Sequence, residues 1–192
     1  QWERDISNIA AYGFDFTHFG EFAWAAMEPE EGKYDFGWLD DAVRLADKYG
    51  LKVIMCTPMP TPPAWLTHKH PDILVVSDSG QRIQHGGRAQ ASWASDTYRE
   101  YVEKIVTELA VRYGDHPAVM GWHIDNEPSH YSFSYEYSDN NTGQFREWLE
   151  GKYGTVEKLN DAWGTSFWSQ TYNNFGQVEI PNQKRLPGKA CL

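Results

Sequence analysis

"DKYGLKVIMC", residues 47–56, is the stretch whose reading decides the fold. It closes an amphipathic segment in which Phe36, Leu39, Val43 and Ala46 recur at helical spacing, with Asp35 placed to cap the start. Gly50 supplies a left-handed stop. Leu51 to Cys56 then runs apolar on both faces, which is the pattern of a strand covered on two sides. The same junction recurs as "AAYGFDFTHF" (10–19) and "VRYGDHPAVMGWHI" (111–124). In the last of these, Ser95 or Asp96 opens a helix striped by Tyr98, Val102, Ile105, Leu109 and Tyr113, and the strand runs from Ala118 to about Asp125. Strands are therefore predicted near 14–19, 51–56 and 118–125, with a short candidate at 73–76.

Helices alternating with continuous apolar strands call for an α/β fold, a parallel sheet covered by helices. The helix-to-strand joints are tight, whereas strand-to-helix connections such as "TPMPTPPAWLTHKHPDILVVSDSGQRIQHGG" (57–87) are long and rich in polar groups. That asymmetry matches a barrel whose site is built at the carboxyl ends of its strands. A doubly wound nucleotide fold would place a glycine-rich turn after the first strand, and "FGEFAW" is not one. The count of strands allows at most about half of an eight-stranded barrel. After the third strand come a helix from about Thr142 to Tyr153 and a short one around "VEKLNDAWG". We expect residues 1–182 to form the barrel portion and 183–192 an irregular tail. The chain starts at Gln1 already in helical pattern, so upstream sequence is expected.

Of 192 residues, 17 are Lys or Arg and 27 Asp or Glu, a formal charge of −10 that repels phosphate backbones and anionic bilayers. Neither nucleic acid nor membrane is expected as a partner. Nine Trp, eleven Tyr and nine Phe offer flat faces beyond the needs of a core, as proteins use to stack sugars or bases. Two cysteines, Cys56 and Cys191, make neither a disulfide framework nor a thiolate cage. No run reaches the roughly 20 apolar residues of a membrane span, and no signal peptide leads the sequence, which tilts the compartment toward the cytoplasm.

The chemistry concentrates in "MGWHIDNEPSH" (120–130). Strict alternation puts His123, Asp125 and Glu127 on one face, a conceivable metal-ligand set. Pro128 cannot continue the ladder, however, and a break there lets Asn126 and Glu127 both reach a cleft.

The stretches "GEFAWAAMEPEEGKYDFGWLDDAVRLADKYGLKVIMCTPMPTPPAWL", "GGR", "YREYV", "RYGDHPAVMGWHIDNEPSH" and "FREWLEGKYGTVEKLNDAWGTSFWS", in that order, resemble glycoside hydrolase family 42, the β-galactosidases built on a (β/α)8 TIM barrel. The resemblance runs from about residue 1 to 182. It implies a retaining hydrolase of terminal β-D-galactosides with no cofactor, in which Glu127 at a strand end is the general acid/base, Asn126 binds the sugar 2-hydroxyl and Arg88 orients substrate and nucleophile. These roles suit the residue types. A carboxyl in a low-dielectric cleft can hold the proton a leaving oxygen needs, and an amide contact to the 2-hydroxyl tightens as charge builds at the anomeric carbon. A retaining mechanism also requires a second carboxylate as nucleophile. The family's nucleophile is a Glu on strand 7, beyond the strands found in this sequence, so half of the chemistry is expected from elsewhere.

The sequence also departs from the family. Its zinc-binding cysteines are absent from "RAQASWAS" and "SFSYEYSDNN", so no metal is expected. His18 stands where many members carry an arginine, and Pro128 and His130 replace an aromatic-glycine pair. The complete enzyme has room to be a homo-oligomer. Two rivals remain at this point: a non-catalytic galactoside-binding half-barrel, and a metal-dependent barrel enzyme using His123, Asp125 and Glu127.

Overall fold

The structure, a computed structural model, describes residues 1–128 and 135–182. His130, Cys191 and the expected tail at 183–192 lie outside the described residues. In chain order the elements are α1 (Trp2–Ala11), β1 (Phe16–Phe19), α2 (Trp24–Met27), α3 (Gly37–Lys48), β2 (Lys52–Cys56), α4 (Ala64–Lys69), α5 (Asp96–Tyr113), β3 (Val119–His123), α6 (Asp139–Tyr153) and α7 (Val156–Trp163). The three strands make one parallel sheet in the order β1-β2-β3, Phe16 opposite Lys52 and Val53 opposite Val119. Each strand pairs with the next one in sequence. Such winding, without the reversal of order that marks a doubly wound sheet, is that of a barrel segment.

The helices coat one face. Val53 and Met55 of β2 are fully buried in a cluster with Leu39, Val43 and Ala46 of α3 and Tyr98, Ile105, Leu109 and Tyr113 of α5. Burying each such aliphatic side chain contributes about 1.5–3 kcal/mol relative to exposure, which is what holds helices of modest propensity onto the sheet. An Arg112–Asp40 ion pair joins α5 to α3, and the Tyr113 hydroxyl donates to the same carboxylate at 2.8 Å. A second, smaller cluster of Leu149, Leu159 and Val178 unites α6, α7 and the turn beyond them.

The Tyr-Gly junctions have two different physical bases. Gly13 and Gly50 are left-handed, at φ 84° and 74°. Gly114 is right-handed at φ −58°, and a β-carbon there would lie 2.6 Å from the Ala110 carbonyl oxygen. It is glycine because of close approach, not because of its φ. Ser95 caps α5 by accepting from Tyr98 N–H at 3.2 Å, as expected. Asp35 accepts from the Gly37 N–H at 3.0 Å, at the start of α3.

The candidate strand at 73–76 does not join the sheet. Leu74 and Val76 instead make isolated antiparallel bridges to Ala91 and Arg82, folding the long β2–α5 connection back on itself. Apolar character alone could not separate these cases, because a loop packed on the core is as apolar as a strand. Ile73, Leu74 and Val75 are all buried. Among the described residues no helix is long and apolar enough to cross a membrane.

Candidate active site

The carboxyl ends of the three strands converge on one polar corner. Thr57, the residue after β2, is almost fully buried and spans the gap to β3. Its N–H donates to the His123 carbonyl at 3.0 Å, while its Oγ1 lies 3.3 Å from that carbonyl and accepts from the Asp125 N–H at 2.8 Å. The strand ends there. Asp125 and Glu127 both take left-handed backbone conformations, φ 60° and 45°. This breaks the alternation that would have aligned His123, Asp125 and Glu127. The one set of three or more metal-ligating side chains brought together among the described residues is a different one, His18, Cys56 and His123. The metal triad read from the strand pattern is therefore not assembled.

Arg88 reaches the same corner from the β2–α5 connection. Its Nη2 lies 3.3 Å from Glu127 Oε2, and its guanidinium sits 5.9 Å from the centre of the Phe22 ring, just beyond β1. Gln90, itself buried, holds the turn that delivers Arg88, its side-chain oxygen accepting from the Gly86 and Gly87 N–H groups at 3.0 and 3.1 Å. The Ala89 N–H donates to the Pro60 carbonyl at 2.9 Å. Phe22 and Ala89 are also at positive φ, 59° and 52°. Non-glycine residues in this region cost of order 1–3 kcal/mol each, and such strain gathers at sites whose geometry the surroundings over-determine.

Asn126 is half-buried and Glu127 is exposed, its side chain at 61%. The burial expected around the acid is thus not supplied by the described residues. Beneath the corner, the buried Tyr98 hydroxyl donates to the Met59 carbonyl at 2.6 Å, and its acidity is suppressed by burial and further by the Asp125 charge. Glu136, also buried, accepts from Ser92 Oγ at 3.3 Å and the Ser138 N–H at 2.7 Å, tying the segment after β3 to the β2–α5 connection.

His18 is exposed, 3.9 Å from Glu21. Of Trp24, Trp65, Trp163 and Trp168, the four tryptophans in or beside the strand-end loops, Trp24 is fully buried and donates to Glu28 at 2.8 Å, and Trp65 donates to the Glu28 carbonyl at 2.9 Å. Trp163 packs in the smaller cluster. Only Trp168 of these four is largely exposed, stacked on Phe167. Lys69 of "THKHP" pairs with Glu31 at 2.6 Å, a surface ion pair.

Sequence reading singled out Arg88, Asn126 and Glu127 but missed Thr57, Gln90 and Phe22. A threonine directly after a buried strand and a glutamine three residues past a glycine pair are common and carry no local signal. Their value is in contacts with chain 3 to 68 residues away.

A singly wound parallel sheet with a strained carboxylate–arginine corner at its carboxyl edge is the arrangement of a piece of an α/β barrel. Over residues 1–189 the chain matches the family model described as beta-galactosidase, glycoside hydrolase family 42, and it belongs to that family. Beta-galactosidase BgaH of Haloferax lucentense is 44% identical over 181 residues, 94% of this chain and 27% of the relative. A beta-galactosidase of Thermus thermophilus is 44% identical over 182 residues, 95% and 28%. Among solved structures, the beta-galactosidase of the psychrophilic Marinomonas ef1 superposes with a TM-score of 0.91 at 40% identity, covering 97% of this chain and 28% of that one. A catalytic glutamate-to-alanine mutant of Gan42B, a GH42 beta-galactosidase from G. stearothermophilus, superposes at 0.85 with 39% identity, covering 96% and 26%. The chain spans just over a quarter of the length of these relatives.

Proposed function

We propose that the protein carrying this chain is a retaining β-galactosidase acting on terminal β-D-galactosides, and that the chain contributes one of its two catalytic carboxylates. The observation that carries this reading is the Arg88–Glu127 pair at the carboxyl edge of β3 in a chain of this family. Glu127 acts as general acid/base. It gives its proton to the glycosidic oxygen as the bond to the anomeric carbon breaks, then takes one from the water that hydrolyses the glycosyl-enzyme. Asn126 donates to the sugar 2-hydroxyl. Arg88 fixes Glu127 between turnovers and, as a fixed cation, orients the second carboxylate.

The nucleophile comes from sequence corresponding to the part of the relatives this chain does not cover, about 5–5.5 Å from Glu127 as a retaining site requires. The same segment supplies the burial that Glu127 lacks here. No cofactor takes part.

The decisive experiment replaces Glu127 by Gln in the protein expressed from its natural gene. For a galactoside with a poor leaving group, kcat is expected to fall by about 10²–10⁴-fold. Activated aryl galactosides should lose far less in the first step, and azide should restore turnover by yielding a β-galactosyl azide. Unchanged hydrolysis, or a loss that azide does not relieve, removes Glu127 from the acid/base role. Galactose binding without turnover by the parent protein would indicate a non-catalytic binding domain.

A further inference from the structure

We propose that His18, Cys56 and His123 form a binding site for a thiophilic divalent cation of the zinc class. The three residues stand on three adjacent strands, β1, β2 and β3, and share the sheet face turned away from the helices. Val53 and Met55 are buried among the helices, so Ile54 and Cys56 face the other way. His18 is in register with Ile54, and His123 with Cys56. The sheet thus sets one imidazole, one thiol and a second imidazole side by side.

Their donor atoms all lie within 4.8 Å of one another. Cys56 Sγ and His123 Nδ1 are 3.6 Å apart. With Zn–S near 2.3 Å and Zn–N near 2.0–2.1 Å, the S-to-N edge of a tetrahedron is about 3.5–3.6 Å. That edge is already in place, and only His18, whose side chain is 59% exposed and free to turn, must adjust. Glu21, with a carboxylate oxygen 3.9 Å from His18 Nε2, offers a ligand for the fourth position. One sulfur and two imidazole nitrogens select zinc or cobalt over magnesium or calcium, which take oxygen ligands.

Without metal, Cys56 Sγ and His123 Nδ1 are within hydrogen-bonding distance of each other. On binding, the thiol proton leaves to solvent as the sulfur–metal bond forms, and the imidazoles bind neutral. The site draws on none of the residues assigned to sugar chemistry, so it stands or falls apart from the glycosidase reading.

Cobalt(II) is the probe, titrated into the protein expressed from its natural gene after treatment with chelator. Equimolar uptake with a thiolate-to-cobalt charge-transfer band in the near ultraviolet and intense visible bands of four-coordinate geometry is expected. Zinc should displace the cobalt and erase both. Cys56→Ser should abolish the charge-transfer band, whereas Cys191→Ser should keep it. His18→Gln, a change at an exposed side chain that leaves the core untouched, should weaken cobalt binding at least about tenfold and so tests the site even if Cys56→Ser folds poorly. Absence of the band at equimolar metal, its survival in Cys56→Ser, its loss in Cys191→Ser, or affinity unchanged in His18→Gln would each overturn the proposal.

Discussion

Arg88 Nη2 and Glu127 Oε2 lie 3.3 Å apart, closing the loop after β2 onto the corner after β3. Both side chains are about half exposed or more, 46% and 61%, so the pair does little for stability. Its value lies in placing two chemical groups whose backbones are 39 residues apart in the sequence.

Arg88→Lys should therefore separate activity from folding. The variant keeps the charge but loses the planar fork, and kcat/KM for a galactoside is expected to fall by about 10²-fold through misplacement of the carboxylates. Stability to denaturant should change by less than about 0.5 kcal/mol. A matched loss of stability would show that Arg88 holds the fold rather than the site.

Thr57→Val tests the positioning of the corner from below. The change is close to isosteric and removes the Oγ1 that accepts the Asp125 N–H at 2.8 Å. Leaving that half-buried donor unmet costs about 1–3 kcal/mol, and kcat should fall more than KM rises, because the left-handed turn at Asp125 and Glu127 loses its anchor. Thr57→Ser, which keeps the hydroxyl, should recover most of the activity. Full activity in the valine variant would assign the turn to other contacts.

The buried Tyr98 gives a pH dependence of definite sign. Burial, with the charge of Asp125 adding to it, raises its pKa above the ordinary 10.0. The folded state thus holds the proton more tightly than the unfolded one. Its stabilising contribution is fully present below pH 10 and is lost as pH climbs above that value. Tyr98→Phe should lower stability at neutral pH by about 1 kcal/mol through loss of the bond to the Met59 carbonyl, yet decline less steeply in alkali. Denaturant unfolding at pH 7 and in steps above pH 10 reads both effects. Parallel curves for the two proteins would contradict the assignment.

Among the described residues β1 and β3 are the edges of the sheet, and the sheet and its flank expose Phe16, Met120 and Ile124. Beside β3 lies an apolar cleft of about 520 Å³ lined by Val102, Val106, Trp122 and Ile124, among others. Open edges next to apolar surface drive pairing between copies. Size-exclusion chromatography with light scattering should find dimers or larger species for this piece. A monomer that unfolds cooperatively would contradict the expectation.

The particulars show where sequence suffices. Three Tyr-Gly junctions followed by apolar runs located β1, β2 and β3 to within two residues at each end, because helical stripes and strand runs are local patterns tied directly to burial. The run at 73–76 was equally apolar and misled for that reason. Its burial comes from packing a loop, whose bridges, Leu74 to Ala91 and Val76 to Arg82, are isolated and antiparallel. Flanking motifs single out Arg88, Asn126 and Glu127, and of these the structure brings Arg88 and Glu127 together. Thr57 and Gln90 were not legible: the Thr57 hydroxyl becomes a positioning group only when the Asp125 N–H, 68 residues away, arrives beside it, and the Gln90 amide only when the chain turns back at Gly86 and Gly87.

The sequence by itself determined the alternation of helix and strand, the family, and the identity of the polar residues at the strand ends. Only the tertiary structure decided which of those residues meet. It turned Asp125 and Glu127 out of strand geometry, set Arg88 against Glu127, and joined His18, Cys56 and His123 across three strands. The reason is one of range: periodicity encodes which face of an element is buried, whereas the register between parallel strands is fixed by packing and ladder hydrogen bonds among segments far apart in the chain.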